Sequence, residues 1–184
     1  MTFDAIILAG ARSRRLNGAD KAAVVLGGRT LLERAAGALV AAARTVVVGP
    51  RREISLGVEW IEEEQPGRGP VPALAAGIEW VRSEAVVVLA VDYPLITATE
   101  LEILVTSMRA DGAVAVDDEG REQPLLGAYR TKSLRDVLVG LSSLHGSRVS
   151  DLVASLDLEP VQIGWRARDC DTWEEIAKLE TTVR

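Results

Sequence analysis

The densest group of chemically useful side chains lies between Leu8 and Lys21. This segment is locally cationic, although the whole chain has 21 Lys and Arg residues against 27 Asp and Glu and a net charge of −6. Its cations are Arg12, Arg14, Arg15 and Lys21, opposed by Asp20. Small residues such as Gly10 and Gly18 let a backbone turn sharply and direct its amides at a phosphate. Guanidinium forks and a lysine charge suit a polyphosphate. The segment predicts a phosphate-binding loop, with a merely solvated turn as the alternative.

Two common nucleotide motifs are absent from this loop. It lacks the Gly-Lys-Ser/Thr of a P-loop, and it lacks the three spaced glycines of a dinucleotide fingerprint. An acid about 20 residues further on, which a Rossmann dehydrogenase uses for the ribose, is missing too. A dehydrogenase is therefore excluded.

A second candidate is Asp92, which directly follows the apolar run 85–91. Such a run is typical of a strand buried on both faces. A carboxylate at the end of that strand, held near the rigid Pro94, can take Mg²⁺. A turn or helix-start aspartate is the alternative.

Acids also cluster at 62–64 and at 169–175. Glu62, Glu63 and Glu64 precede Pro66-Gly67-Arg68-Gly69-Pro70, and three successive carboxylates cannot all face a triphosphate, so a solvated face is the alternative for Glu62 and Glu63. In the second cluster, Thr172 and Glu175 have capping-box spacing, which indicates the start of a helix. Carboxylates near that start are favoured by the helix dipole.

The pattern Leu8-Ala9-Gly10-x-x-Ser13-x-Arg15-Leu16-x-Gly18-x-Asp20-Lys21, then Gly28-x-x-Leu31-Leu32-x-Arg34, resembles the signature of the molybdenum cofactor guanylyltransferase family. In that family the loop wraps a nucleoside triphosphate. The resemblance implies that Lys21, Arg12 and Arg15 bind phosphates and that Lys21 and Arg15 serve catalysis. It implies that nucleotide contacts also come from Leu8, Ala9, Gly10, Ala11 and Ser13. Ala11 stands where the family usually has glycine.

The resemblance extends to other segments. It implies that Asp92 is a catalytic magnesium ligand that also contacts the nucleotide, and that Asp171 is a second metal ligand. Glu64, Gly67 and Gly69 would contact the base and ribose. Residues 123–130 match a segment near the acceptor end of the cleft. His145 is then a loop or acceptor-contact residue, because an ionised phosphate nucleophile needs no general base.

The elements that must position these residues alternate between strands and helices. Strands are predicted at 5–9, 45–48, 58–61, 85–91, 113–116 and near 160–164, with an extended stretch at 124–129. Helices are predicted after Thr30 and Thr97, each with a glutamate at capping-box spacing, and at 71–82, 132–142, 147–156 and from Thr172. This alternation predicts one α/β domain over residues 1–184, a three-layer α/β/α sandwich with a Rossmann-like, mostly parallel sheet and one possible antiparallel excursion. The resemblance implies the nucleotide-diphospho-sugar transferase type of that fold.

Ligands in such sheets bind outside the carboxyl ends of the strands, which selects the loops after Leu8, Ile61 and Val91. The resemblance then predicts an Mg²⁺-dependent enzyme that transfers GMP from GTP to molybdopterin and releases pyrophosphate. Three alternatives remain: a cytidylyltransferase on molybdopterin, a relative acting on another phosphorylated acceptor, and a non-catalytic nucleotide-binding relative. A molybdoenzyme or insertion chaperone is a possible partner.

Composition limits the other partners. The net charge of −6 argues against general nucleic-acid binding, which normally needs a basic face. No apolar run approaches the ~20 residues of a membrane helix, so no membrane partner is expected. Cys170 is the single cysteine, so an intrachain disulfide is excluded, in agreement with a cytoplasmic location. We expect its side chain to pack as a small, buried hydrophobic group.

Overall fold

The computed structural model describes residues 1–10, 18–63, 67–141 and 146–181. Seven of the candidate residues named above lie outside these ranges: Ala11, Arg12, Ser13, Arg14, Arg15, Glu64 and His145.

Nine strands and six helices make up the described part of the chain. The strands are β1 (Phe3–Leu8), β2 (Val25–Leu26), β3 (Arg29–Thr30), β4 (Arg44–Val48), β5 (Glu59–Ile61), β6 (Ala85–Ala90), β7 (Gly112–Val116), β8 (Glu122–Arg130) and β9 (Leu158–Gln162). The helices are α1 (Leu31–Ala38), α2 (Pro70–Trp80), α3 (Ala98–Ser107), α4 (Thr131–Gly140), α5 (Val149–Val153) and α6 (Trp173–Glu180). Short 3-10 turns cover Lys21–Ala23 and Gly164–Ala167.

The central sheet has the order β5-β4-β1-β6-β8. β1 pairs in parallel with β4 and β6, and β5 pairs in parallel with β4. Every residue of β1 and β6 is buried, as their continuous apolar sequences predict. β8 runs antiparallel to β6, which confirms the excursion, and the parallel pair β7–β9 lies beside β8.

The helices cover the sheet in two groups. α2 packs against β1 and β4 and contacts α4 and α5, whereas α3 packs against β7 and β8 and contacts α1. All three predicted capping boxes are present, with Thr30, Thr97 and Thr172 at the N-caps and a glutamate three residues later. The predicted α/β fold is confirmed.

Local differences from the predicted elements are small and have physical reasons. The β2–β3 hairpin was not predicted, because two-residue strands leave no periodicity to detect. The last strand begins at Leu158 rather than near residue 160, and Gly164 opens a 3-10 turn instead of extending it. Within the described ranges, no helix has the length and apolar character to cross a membrane.

Candidate nucleotidyl-transfer site

The carboxyl ends of four strands meet at one edge of the sheet. Leu8 is aligned with Val48 on one side and with Ala90 on the other, and Val48 is aligned with Ile61. The loops after β1, β5 and β6 therefore leave the sheet together, as the sequence predicts. The segments that they open carry Lys21, Glu63 and Asp92.

The centre of this edge is an ion-pair cluster of three side chains. Lys21 Nζ lies 3.3 Å from Asp92 Oδ2 and 2.5 Å from Asp171 Oδ1. The Lys21 side chain is 3% exposed, against 25% for Asp92 and 35% for Asp171. The structure thus brings together the lysine and both predicted metal ligands, although Lys21 and Asp171 are 150 positions apart.

Burial and charge act in opposite directions on this cluster. Burial disfavours the Lys21 ammonium, but the negative charge of Asp92 and the hydrogen bond to Asp171 outweigh it and raise the pKa of Lys21. Burial raises the pKa of Asp92, and the neighbouring ammonium only partly offsets that shift. Lys21 is therefore a permanent cation at neutral pH, and Asp92 is a carboxylate that gains from a further cation.

The C-terminal acidic segment is fastened to the end of β6. The Cys170 amide donates to the Asp92 carbonyl at 2.9 Å, and the cysteine itself is 1% exposed, in agreement with its predicted packing role. The Asp171 amide donates to Glu175 Oε2 at 2.8 Å, and Thr172 caps α6. The predicted helix start is confirmed, and the Asp171 side chain faces Lys21. Its role as a metal ligand stays a prediction.

The fit of a magnesium ion rests on Asp92. Its Oδ1 atom is buried and has no hydrogen-bond partner among the described residues, a costly state that a bound cation relieves. The described residues contain no group of three or more Asp, Glu, His or Cys side chains that could hold a metal ion. Mg²⁺ is usually held by one or two carboxylates together with substrate phosphates and waters. Asp92 and Asp171 match that smaller donor set.

Arg52 is a structural residue of the site that the sequence did not reveal. Its Nε and Nη2 donate to Asp20 Oδ2 and Oδ1 at 2.7 and 2.6 Å, and Nη2 also donates to the Ala9 carbonyl at 3.1 Å. Its Nη1 donates to the Pro50 carbonyl at 2.7 Å. The only sequence signal is an arginine shortly after a predicted strand, and nothing in the pattern pairs it with Asp20.

The backbone at the end of β1 lies so close to Gly49 that no side chain fits at that glycine. A Cβ at Gly49, where φ is +142°, would lie 2.8 Å from the Ala9 carbonyl carbon and the Gly10 amide nitrogen. Leu8 and Ala9 are buried, and the Ala9 amide already donates to the Val48 carbonyl. The predicted nucleotide contacts at Leu8 and Ala9 thus belong to a rigid floor of the edge.

Glu63 enters the site from the loop after β5. Its Oε2 would lie 2.7 Å from a Cβ built on Gly10, so the carboxylate lies directly against that glycine. Its Oε1 is buried without a hydrogen-bond partner among the described residues, and burial raises its pKa. Glu62 is exposed, as a solvated face requires. Glu63 is thus the glutamate that the structure places at the edge, while the predicted Glu64 lies outside the described residues.

The two glycines after this loop have positive φ angles, which glycine adopts more readily than other residues. Gly67 has φ +81° and Gly69 has φ +104°, and Gly69 is the N-cap of α2, which has Pro70 at its first position. In the segment predicted to face the acceptor, Gln123 accepts a hydrogen bond from the Tyr93 hydroxyl at 3.0 Å. That contact joins the start of β8 to the residue after Asp92.

The buried Lys21 ammonium, the two carboxylates and the floor of small residues lie together at this edge. The sequence profile of the MobA-like NTP transferase domain matches residues 5–159. The chain belongs to this family. Lys21, Asp92 and the loops after β1 and β5 all lie within the matched range, whereas Asp171 lies beyond it.

Relatives of this NTP transferase include proteins named molybdenum cofactor guanylyltransferase. The Shewanella woodyi protein of that name is 29% identical over 143 residues, which are 74% of this chain and 72% of the relative. A probable molybdenum cofactor guanylyltransferase from Deinococcus radiodurans is 32% identical and covers 73% of this chain and 70% of its own. The Natronomonas pharaonis relative, also described as probable, is 27% identical over 83% of this chain and 80% of its own.

Solved structures confirm the fold of this NTP transferase. A nucleotidyl transferase from Methanothermobacter superposes with a TM-score of 0.82 at 14% identity, covering 99% of this chain and 97% of its own. The 2-C-methyl-D-erythritol 4-phosphate cytidylyltransferase of Thermus thermophilus gives 0.76 at 21% identity, with all of both chains covered. The molybdopterin-guanine dinucleotide biosynthesis protein A of Archaeoglobus fulgidus gives 0.70 at 19% identity, covering 97% of each chain.

Proposed function

We propose that this NTP transferase is an Mg²⁺-dependent guanylyltransferase that joins GMP from GTP to the terminal phosphate of molybdopterin and releases pyrophosphate. The observation that carries the proposal is the cluster in which Lys21 lies between Asp92 and Asp171 at the carboxyl edge of the sheet. The names of the relatives supply the choice of acceptor.

Lys21 supplies a fixed positive charge for the triphosphate. An ammonium has three N–H donors. Among the described residues, Lys21 donates to two carboxylates, those of Asp92 and Asp171. Within the described part of the chain, one donor therefore remains for a phosphate oxygen. Because Lys21 is buried, its charge is screened less by water than the charge of a surface lysine would be.

Asp92 and Asp171 would hold the metal. Bound Mg²⁺ supplies charge neutralisation at the phosphate oxygens. In the reaction a terminal oxygen of the acceptor phosphate attacks the α-phosphorus in line, and the bond from that phosphorus to the bridging oxygen of pyrophosphate breaks. The electron pair of that bond leaves with pyrophosphate, whose charge Lys21 offsets. The acceptor phosphate is already ionised, so no general base is required.

Glu63 gives a physical reason for choosing guanine. A carboxylate only accepts hydrogen bonds, and the Watson–Crick edge of guanine presents two adjacent N–H donors to it. Glu63 lies against Gly10 with a buried oxygen that has no partner in the described part of the chain. Cytosine and adenine offer one exocyclic amino group and a ring nitrogen that repels a carboxylate. We therefore propose Glu63 as the residue that selects the base.

The base is tested by binding, and the reaction is tested by turnover. Each of the four nucleoside triphosphates is titrated into the protein with Mg²⁺ in a calorimeter, and GTP is expected to bind at least tenfold more tightly than CTP. Glu63→Gln should reduce that preference without abolishing binding, whereas Glu62→Gln, at an exposed position, should leave it unchanged. Equal affinity for GTP and CTP in the unaltered protein would exclude the guanylyl assignment.

For turnover, pyrophosphate release is followed with GTP, Mg²⁺ and molybdopterin. Asp92→Ala should abolish release while the circular dichroism spectrum stays unchanged, and Asp136→Ala, which removes an exposed acid from α4, should keep it. Full activity of Asp92→Ala would refute the mechanism. GTP binding without pyrophosphate release in the unaltered protein would favour a non-catalytic nucleotide-binding relative.

A further inference from the structure

A cationic cleft lies between α1 and the connection from β6 to α3. Its volume is ≈ 260 Å³. One wall is formed by α1 and the hairpin before it, and the other by residues 94–98. Three arginines line it, namely Arg29, Arg34 and Arg166. None of the sequence motifs described above includes Arg29 or Arg166.

The arginines of this cleft are poorly neutralised by the protein. Arg34 Nε donates to the Leu26 carbonyl at 2.9 Å, and no carboxylate in the described residues lies within ion-pair distance of Arg34. Arg29 reaches a backbone carbonyl, that of Glu33, at 3.4 Å. Neither guanidinium therefore makes an ion pair in the described part of the chain. Glu180 attracts Arg34 and Glu33 attracts Arg29 only at longer range.

Within the described residues, Arg166 is the one cleft arginine with a carboxylate at ion-pair distance. Its Nε lies 3.6 Å from Glu100 Oε1, and its Nη1 donates to the Leu95 carbonyl at 3.3 Å. Glu100 also serves the capping box of α3, where its Oε2 accepts from the Thr97 amide at 2.9 Å. Among the described residues that line the cleft, three are thus cationic and none is acidic.

The electrostatics of Arg34 reflect this excess. Burial lowers the pKa of Arg34, and the charge of Arg29 lowers it further, with Glu180 acting in the opposite direction. Arginine stays protonated at neutral pH despite such a shift. The repulsion between these guanidinium groups is therefore a standing cost, and an anion in the cleft would remove it. Such an excess is notable in a chain whose net charge is −6.

We propose that this cleft is a second anion-binding site, separate from the Lys21 cluster, and that its ligand is a phosphate group. The described lining residues include three guanidinium groups and no carboxylate, which suits the ≈ −1.5 to −2 charge of a phosphomonoester at pH 7. Guanidinium forks also match the oxygen geometry of phosphate. The volume lies below the ~300 Å³ at which pockets for drug-sized ligands begin, so the ligand is inorganic phosphate or a small phosphorylated metabolite. The site does not depend on the proposed reaction.

The position of the cleft connects it to the reaction edge. Its wall at 94–98 begins two residues after Asp92. Its opposite wall contains Arg34, whose hydrogen bond holds Leu26 in the hairpin that follows the 3-10 turn of Lys21. A ligand in the cleft would therefore contact both segments.

Calorimetric titration tests the site directly. Inorganic phosphate and glycerol 3-phosphate are titrated at low chloride into the intact protein and into Lys21→Ala, which weakens anion binding at the reaction edge. Saturable binding that persists in Lys21→Ala is expected, with acetate binding at least tenfold more weakly. Tighter binding of glycerol 3-phosphate than of phosphate would identify a metabolite as the source, and the reverse would identify free phosphate.

Variants decide whether the arginines carry this binding. Arg34→Gln should weaken the phosphate affinity of the Lys21→Ala protein at least tenfold, and Arg166→Gln should do so with Arg34 intact. Arg109→Gln removes the same charge from an exposed arginine outside the cleft and should change the affinity less than twofold. If Arg34→Gln fails to fold, Arg166→Gln decides alone. Unchanged phosphate affinity in the folded cleft variants, or no saturable binding at all, would overturn the proposal.

Discussion

Arg52 joins three chain segments at the reaction edge through a single guanidinium group. It binds both oxygens of Asp20, the residue before Lys21, and it also binds the carbonyls of Ala9 and Pro50. A planar fork can make these contacts together, whereas a lysine ammonium is a point charge with another geometry. We therefore expect Arg52 to be a positioning residue that acts on the substrate through the backbone next to Lys21.

The first prediction follows from that geometry. Arg52→Lys keeps the charge but loses the paired contact to Asp20, so the free energy of unfolding should fall by about 2 kcal/mol. The affinity for Mg²⁺-GTP should fall about tenfold, since Lys21 is less firmly placed. Urea denaturation and calorimetry measure the two effects. Arg51→Lys, at the exposed neighbouring position, is the control, and equal effects in both variants would contradict a positioning role.

Gly49 provides the second prediction at this scale. Gly49→Ala would place a methyl carbon 2.8 Å from backbone atoms of Ala9 and Gly10, at a φ of +142° that side chains rarely adopt. Neither neighbour can rotate away, because both are backbone. We expect a loss of about 3 kcal/mol in the free energy of unfolding. Gly57→Ala is the matched control, since nothing lies within 4 Å of a Cβ there. Similar losses in the two variants would refute the close approach.

Among the elements, the turn between β7 and β8 is organised by one buried carboxylate. Asp117 accepts hydrogen bonds from the amides of Glu119 and Arg121 and from the side chains of Arg121 and Gln123, each at 2.9 Å. Burial alone would raise its pKa, but these hydrogen bonds outweigh burial and lower the pKa of Asp117 from 3.8 to about 2. Asp117 thereby also positions Gln123, which accepts a hydrogen bond from the Tyr93 hydroxyl beside the site.

The third prediction is a dependence of stability on pH. The folded-state pKa lies below the unfolded value, so the unfolded chain binds more protons between these two values. The stabilisation is complete above about pH 5 and is lost as the pH falls towards 2, with a total of about 2 kcal/mol. Urea denaturation across that range should show a smaller decline for Asp117→Asn than for the unaltered protein. Parallel declines would show that Asp117 does not carry the effect.

The elements that sequence patterns predicted well are those with strong local signals. β6 has a continuous apolar run, and α1, α3 and α6 begin at capping boxes that the structure contains. The sequence left open whether β8 runs parallel or antiparallel to its neighbour, because an extended pattern does not indicate strand direction. The β2–β3 hairpin is stabilised by contacts to α1 and α6, and these depend on the fold rather than on local sequence.

The sequence named the three residues of the ion-pair cluster but not their geometry. The end of β6 identified Asp92, and the resemblance identified Lys21 and Asp171. Nothing local indicated that the Cys170 amide would bind the Asp92 carbonyl, which sets the distance between the acids. For the same reason Arg52 was missed, since its partners lie 43 and 32 positions away.

Across the whole molecule, the site joins segments that folding alone brings together. Lys21 and Asp92 are separated by 71 positions and Lys21 and Asp171 by 150, with Asp171 beyond the range of the family profile. The unfolded chain therefore has no preformed version of this cluster. A ligand that binds the cluster binds the folded state and not the unfolded one, so its affinity adds to global stability.

The fourth prediction uses that linkage. At a concentration about 100 times its Kd, GTP with Mg²⁺ should raise the free energy of unfolding by about 2.7 kcal/mol, or the melting temperature by about 5–10 °C. With EDTA in place of Mg²⁺ the same GTP should give a clearly smaller shift, because Asp92 and Asp171 then repel the triphosphate. Asp92→Asn should reduce the difference between the two conditions, since it removes one negative metal ligand. Thermal unfolding followed by circular dichroism measures each shift. Equal shifts with Mg²⁺ and with EDTA in the unaltered protein would mean that the carboxylate pair does not hold the metal, and the proposed mechanism would then lose its centre.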